Sequence, residues 1–88
     1  MLTCLNFKVY PVPFNDILNI EYQLKKDAHV QISIYDVNGK LVQTIVSANK
    51  QVGDYKLIVN ANSFEKGMYI LKLKVDGQPA NNRIIMKQ

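Results

Sequence analysis

The chain has 88 residues and a formal charge of +4, with 48% apolar residues, Gly 4 and Trp 0. That is enough for one small domain with a single core, and it excludes collagen-like, mucin-like and disordered classes. The basic residues run from Lys8 to Lys87 without gathering into a block, so the charge indicates no nucleic-acid interface.

Residues 1–6 read as a linker or an expression remnant ahead of a domain over residues 7–88. Met1-Leu2-Thr3-Cys4-Leu5 is too short for a secretory signal, and no stretch approaches the ~18 apolar residues of a membrane span. If the domain is exported, its signal is expected elsewhere in a longer precursor. Cys4 is the one cysteine, which leaves no internal disulfide and no cysteine metal framework.

Phe7 to Tyr10 is a short edge strand stopped by Pro11-Val12-Pro13, because proline removes backbone donors and forces extended geometry on the residue before it. Asn15-Asp16 turns the chain. Leu18, Ile20 and Tyr22 then alternate with Asn19, Glu21 and Gln23, the period of a half-buried strand. After a turn at Lys25-Lys26-Asp27, Val30, Ile32 and Ile34 face in and Gln31, Ser33 and Tyr35 face out. Asn38-Gly39 signals a two-residue hairpin turn. Leu41 to Val46 is apolar on both faces, which fits either a strand covered on both sides or one with a bulge.

Ser47 to Gly53 reads as a longer loop, followed by a strand with Tyr55, Leu57 and Val59 inward. Residues 60–67 are too short and polar for a packed helix, and a single 3₁₀ turn burying Phe64 fits them. In Met68 to Val75, Tyr69, Leu71, Leu73 and Val75 face in while Lys72 and Lys74 face out. Asp76-Gly77 turns again, and Pro79 argues for a connection longer than two residues. In the last segment Ile84 and Met86 are expected inside and Arg83 and Lys87 outside. About seven short strands at this spacing make an all-β antiparallel sandwich, with a closed five-stranded barrel as the alternative.

Chemistry is sparse. His29, the one histidine, has no partner at a recognisable catalytic spacing. Asp16, Asp27, Asp36, Asp54 and Asp76 fall at turns, where their side chains accept local backbone hydrogen bonds, and no Asp-x-Asp-x-Asp run marks a calcium loop. Tyr10, Tyr22, Tyr35, Tyr55 and Tyr69 offer stacking surfaces but read first as core residues whose phenols reach water. Cys4 has no group to lower its pKa. No enzyme activity, cofactor or metal is expected.

In order, residues 7–16 (FKVYPVPFND), 35–42 (YDVNGKLV), 67–71 (GMYIL) and 83–87 (RIIMK) resemble the C-terminal sorting domain of type IX secretion cargo proteins. That family opens with Tyr-Pro-Asn-Pro, carries a Tyr-Asp-x-x-Gly-Arg/Lys hairpin, has Gly-x-Tyr in its penultimate strand and ends basic, aliphatic, basic. Val12 departs from the pattern's Asn, and Gln88 follows the final Lys87. The resemblance implies an immunoglobulin-like sandwich of an exported Bacteroidota protein, on the C-terminal side of a cargo domain. The partners it implies are the outer-membrane type IX translocon and a sortase-like peptidase that cuts before the domain, with cargo finishing at the cell surface or secreted. The motif-matched candidates for recognition are Pro11, Pro13, Asp36, Gly39, Gly67, Tyr69, Lys72, Lys74, Arg83 and Lys87. Lys72, Lys74, Arg83 and Lys87 are expected to form one outward basic strip. An accessory adhesive or carbohydrate-binding module is the alternative reading. An edge strand beside Pro11 and Pro13 also leaves room for a homodimer.

Overall fold

A computed structural model describes residues 3–88; Met1 and Leu2, the start of the expected linker, lie outside the described residues. Seven strands follow one another: β1 (Cys4–Tyr10), β2 (Ile17–Leu24), β3 (Ala28–Asp36), β4 (Leu41–Lys50), β5 (Gly53–Asn60), β6 (Gly67–Val75) and β7 (Gln78–Lys87). They form two antiparallel sheets, β1-β2-β5 and β4-β3-β6-β7. Compared with the constant-type immunoglobulin order, β4 pairs with β3 instead of β5, which leaves β5 at an edge. The architecture is the expected sandwich and not the barrel.

Alternation builds the core. Leu18, Ile20, Tyr22 and Leu24 of β2 face Val30, Ile32 and Ile34 of β3 and Leu71 and Leu73 of β6, all removed from solvent. Each such side chain contributes on the order of 1.5–3 kcal/mol when withdrawn from water. Tyr22 stacks on Tyr55, with ring centroids 5.1 Å apart and planes 17° apart, so both tyrosines are packing residues, but the Tyr22 phenol is buried instead of reaching water as expected.

The turns depart from expectation in instructive ways. The β3–β4 connection is a three-residue loop, Val37-Asn38-Gly39, with Asp36 N donating to Lys40 O and Gly39 N to Asp36 O. Only Gly39 takes positive φ there, at 82°, so this is an ordinary turn closed by a left-handed glycine and not a primed turn at Asn38-Gly39. Asp36 Oδ1 selects this geometry by accepting from both Asn38 N and Lys40 N, each at 2.9 Å. The two-residue primed turn lies instead at Asp76-Gly77, with φ of 51° and 78°, joining Val75 directly to Gln78. Pro79 is accommodated because β7 is an edge strand and its ladder shifts register between Leu73 and Lys74.

Three strands differ in extent or in facing. β1 begins at Cys4, ahead of Phe7, and shifts register between Leu5 and Lys8, where Asn6 has φ of 53°. Ser47 to Lys50 is not loop but the second half of β4, paired to Ala28 through Gln31. Its polarity is that of an exposed edge strand, and the chain passes to β5 through only Gln51 and Val52. Of the two readings left open for Leu41 to Val46, the bulge is present: the ladder to β3 slips at two places, leaving Val42 and Ile45 as the extra residues. Residues 61–64 make one turn, Phe64 N to Ala61 O at 3.1 Å, but it is not a 3₁₀ helix and Phe64 is half-buried where full burial was expected.

Tyr22 provides a test of the core. Its hydroxyl is buried without a hydrogen-bond partner, and burial, reinforced by Tyr55 and Cys4, pushes its pKa to about 12. Burial disfavours the ionised phenolate in the folded state. This contribution to stability is therefore complete below the ordinary tyrosine value of about 10 and is lost as pH rises toward about 12. Tyr22→Phe keeps the ring and removes the unpartnered hydroxyl. Denaturant titrations should find it about 1 kcal/mol more stable at neutral pH, with a visibly smaller alkaline loss than the wild type.

Candidate functional site

The last strand carries three consecutive apolar residues, Ile84-Ile85-Met86, so alternation alone does not say which of them face in. The register answers: Tyr69 stands opposite Ile85 and Leu71 opposite Arg83, both inward-facing rows, while Met68 pairs with Met86 and Ile70 with Ile84 on the outer face. Ile85 is 1% exposed and Ile84 66%. The expected facing is thus reversed. Ile84 and Met86 look out, and Arg83 and Lys87 turn into the space between the sheets.

Both basic residues reach that position because their long apolar stems carry the charge to backbone carbonyls. Arg83 Nη2 donates to Phe7 O at 3.0 Å and Nη1 to Asn82 O at 3.1 Å, with its guanidinium 5.2 Å from the Phe7 ring centre. It ties β7 to β1 across the open side of the sandwich. Lys87 is 7% exposed; its Nζ donates to Asn15 O and, at 3.0 Å, to Ala61 O, and lies 6.0 Å from the Phe14 ring centre. Inward charges on an edge strand also discourage association with foreign strands.

The opening motif meets the closing one. Pro11 and Pro13, both exposed and both preceded by cis peptide bonds, carry the chain from β1 to Phe14, which is fully buried. Phe14 N donates to Met86 O at 2.8 Å and Gln88 N to Phe14 O at 2.9 Å, a short parallel bridge alongside Lys87. Phe14 was absent from the sequence candidates, because nothing in the alternation around Pro11-Val12-Pro13 marks it as fully buried. Tyr69 packs against Phe14 and Phe64, with centroids 6.5 and 5.4 Å away, and donates its hydroxyl to Glu65 O. Gly67 lies opposite Lys87, and Asp36, from which the Gly39 hairpin springs, lies opposite Tyr69. Eight of the ten motif-matched residues, all but Lys72 and Lys74, therefore belong to the segments that lock this region; Arg83 lies a little further along β7.

Lys72 and Lys74 stand apart on the outer face of β6, and Lys72 Nζ sits 4.9 Å from the ring centre of the outward-facing Tyr35. Because Arg83 and Lys87 point the other way, the single four-residue basic strip does not form. The outer face instead presents apolar rows at the locked end, Met86-Met68 and then Ile84-Ile70-Tyr35-Leu41, followed by the basic rows of Lys72 and Lys74. Contiguous exposed apolar side chains of this kind mark interaction surfaces. They were missed because the facing of β7 was misjudged by one residue.

The opposite end holds the β2–β3, β4–β5 and β6–β7 turns and the beginning of β1. Asp27 Oδ1 accepts from Val52 N and Asp76 Oδ1 from His29 N, so these carboxylates tie together turns distant in the chain instead of serving local bonds as expected, while Asp54 stands within β5 and not at a turn. The His29 ring is bonded to Asn49 and Ser47, at 3.0 and 3.4 Å, and not to a carboxylate. Among the described residues no group of three histidine, cysteine or acidic side chains comes together to hold a metal. Thr3 O accepts from Lys25 N at this end, so whatever precedes the domain attaches opposite the locked end of a body 36 Å long. Burial raises the pKa of the Cys4 thiol, which disfavours the nucleophilic thiolate. Cys4 should accordingly react with a maleimide more slowly than free cysteine at neutral pH, as followed by mass spectrometry.

Comparison with known proteins bears on the fold and on the family. A solved structure of the Pseudomonas fluorescens alkylpurine DNA glycosylase AlkC bound to DNA containing an abasic site analog superposes with a TM-score of 0.72. It covers 98% of this chain and 30% of that one at 12% identity, a likeness of fold alone. Beta-agarase D of Zobellia galactanivorans is 32% identical over 82 residues, which is 92% of this chain but only 15% of the agarase. The family model for the secretion system C-terminal sorting domain matches residues 8–87, taking in every motif that meets at the locked end. The chain belongs to this family, whose members are the C-terminal sorting signals of exported type IX cargo proteins.

Proposed function

We propose that the domain is read, already folded, by the outer-membrane type IX translocon through the outer face of β6 and β7, while a cargo domain hangs from the opposite end. One observation carries this reading: the motif segments converge on one end of the sandwich, and β1 begins at the other. Pro11, Pro13, Asp36, Gly39, Gly67, Tyr69, Arg83 and Lys87 hold the displayed face in shape. Lys72 and Lys74, with the apolar pairs beside them, make the contact. A sortase-like peptidase then cuts ahead of β1, where its access does not compete with the receptor, and the cargo is attached at the cell surface or released.

Lys72→Glu combined with Lys74→Glu tests the contact. Both side chains lie on the outer face, so the melting temperature should move by no more than a few degrees, while export of a fused reporter in a type IX-competent host should fall several-fold. Undiminished export would remove these lysines from the contact.

A further inference from the structure

The four edge strands of the sandwich are not equally protected. β1 is bulged and followed by two prolines, β4 has two bulges, and β7 contains Pro79, bonds to Phe14 and carries the inward Arg83 and Lys87. β5 has none of these devices: it pairs with β2 residue for residue from Gly53 to Asn60 without a register shift. Ala61 N donates to Asp16 O at 2.7 Å on the same ladder, so the odd-numbered residues of β5 bond toward β2. The backbone groups of Asp54, Lys56, Ile58 and Asn60 therefore face away from the sheet, and among the described residues no strand lies beside them.

We infer that β5 is a self-association edge, and that two copies of the chain join antiparallel through β5 about a two-fold axis at Tyr55. The register follows from hydrogen bonding and charge. An isologous antiparallel pair forms ladder bonds only where outward residues meet outward residues, so even-numbered positions must oppose even-numbered ones. Centring the axis on Asp54 or Lys56 sets like charges face to face, and centring it on Leu57 sets Lys56 against Ile58. Centring it on Tyr55 places Asp54 of each copy opposite Lys56 of the other. Across β1, β2 and β5 the outer face already reads Lys8, Glu21, Lys56, and Asp54 of the second copy continues the alternation of sign. The ladder bonds are those of the Asp54–Lys56 pairs; beyond them Ile58, 67% exposed, lies beside the partner's Val52, 58% exposed, a side-chain contact only because Val52 sits in the turn before β5 with its N bonded to Asp27.

The contact is small, so it is read by sedimentation equilibrium of the 88-residue chain from micromolar to millimolar concentration. The wild type should approach dimer at the upper end. Asp54→Lys opposes lysine to lysine and Lys56→Asp opposes aspartate to aspartate; each alone should weaken association roughly tenfold or more. Mixed one to one, the two variants present only unlike pairs and should associate at least as well as the wild type. Recovery in the mixture excludes misfolding as the cause of the single-variant losses. A wild type monomeric throughout, single variants that associate normally, or a mixture no better than its components would each overturn the inference.

Discussion

Deleting residues 83–88 is expected to leave the domain without a cooperative fold. The deletion takes Ile85 from the core, a loss of about 3 kcal/mol for a buried aliphatic residue. It also removes Lys87, whose charged hydrogen bonds contribute on the order of 1.5–3 kcal/mol each, together with the Arg83 tie to Phe7 and the bridge that holds Phe14. Against the roughly 5–10 kcal/mol that a small domain possesses, the sum is fatal. Circular dichroism should show loss of strand signal and no melting transition. Within this segment Lys87→Met is the informative point change: it preserves the buried stem and withdraws the donor from the Asn15 and Ala61 carbonyls. It should cost about 2 kcal/mol, lowering the melting temperature by about 10 °C. A variant that melts with the wild type would show that Lys87 is placed there for some purpose other than holding the loops.

The second large effect is functional and leaves stability alone. Ile84→Asp combined with Met86→Asp introduces carboxylates on the outer face, where both parent side chains are exposed and neither fills the core. Thermal melts should stay within a few degrees of the wild type, while export of a fused reporter should drop by tenfold or more, because an apolar contact that receives two charges must desolvate them. Ile85→Asp is the control that separates causes, since it lies one residue away on the buried face and should unfold the domain. Export loss with an intact fold assigns the outer face to recognition. Equal export by the Ile84→Asp, Met86→Asp variant and the wild type would show that the receptor does not touch it.

Much of this arrangement is legible in the amino-acid order, and the failures have common physical causes. Period-two alternation over Leu18 to Gln23 and over Met68 to Val75 identifies strands and their faces, because each has one wet side. It cannot tell inside from outside where three apolar residues stand together, as at Ile84-Ile85-Met86. There the facing is decided by what Arg83 and Lys87 reach from inside, information that resides in Phe7, Asn15 and Ala61, far off in the chain. The polar half of β4 escaped notice for a related reason: an edge strand needs backbone partners, not apolar side chains, and Ala28 to Gln31 supply them. At the hairpins, local rules named the right places and mis-sized the loops, since the Asp36 side chain and the tolerance of an edge for Pro79 both overrode dipeptide preference. The motifs of the candidate site were readable as a family pattern, but that Tyr69, Arg83 and Lys87 among them turn inward and fasten the segments around Phe14 is visible only once Phe14 is seen lying along Lys87.

On the proposed reading a folded sandwich serves as the address. Its most direct test fuses the 88-residue chain to the C-terminus of a fluorescent reporter bearing an inner-membrane export signal, in a bacterium with a working type IX system, and measures reporter accessible to external protease or released to the medium. The intact chain should deliver the reporter outside the cell, and the same fusion in a strain lacking the translocon should remain in the periplasm. Delivery that persists without the translocon, or periplasmic retention of the intact fusion in the competent strain, would contradict the account.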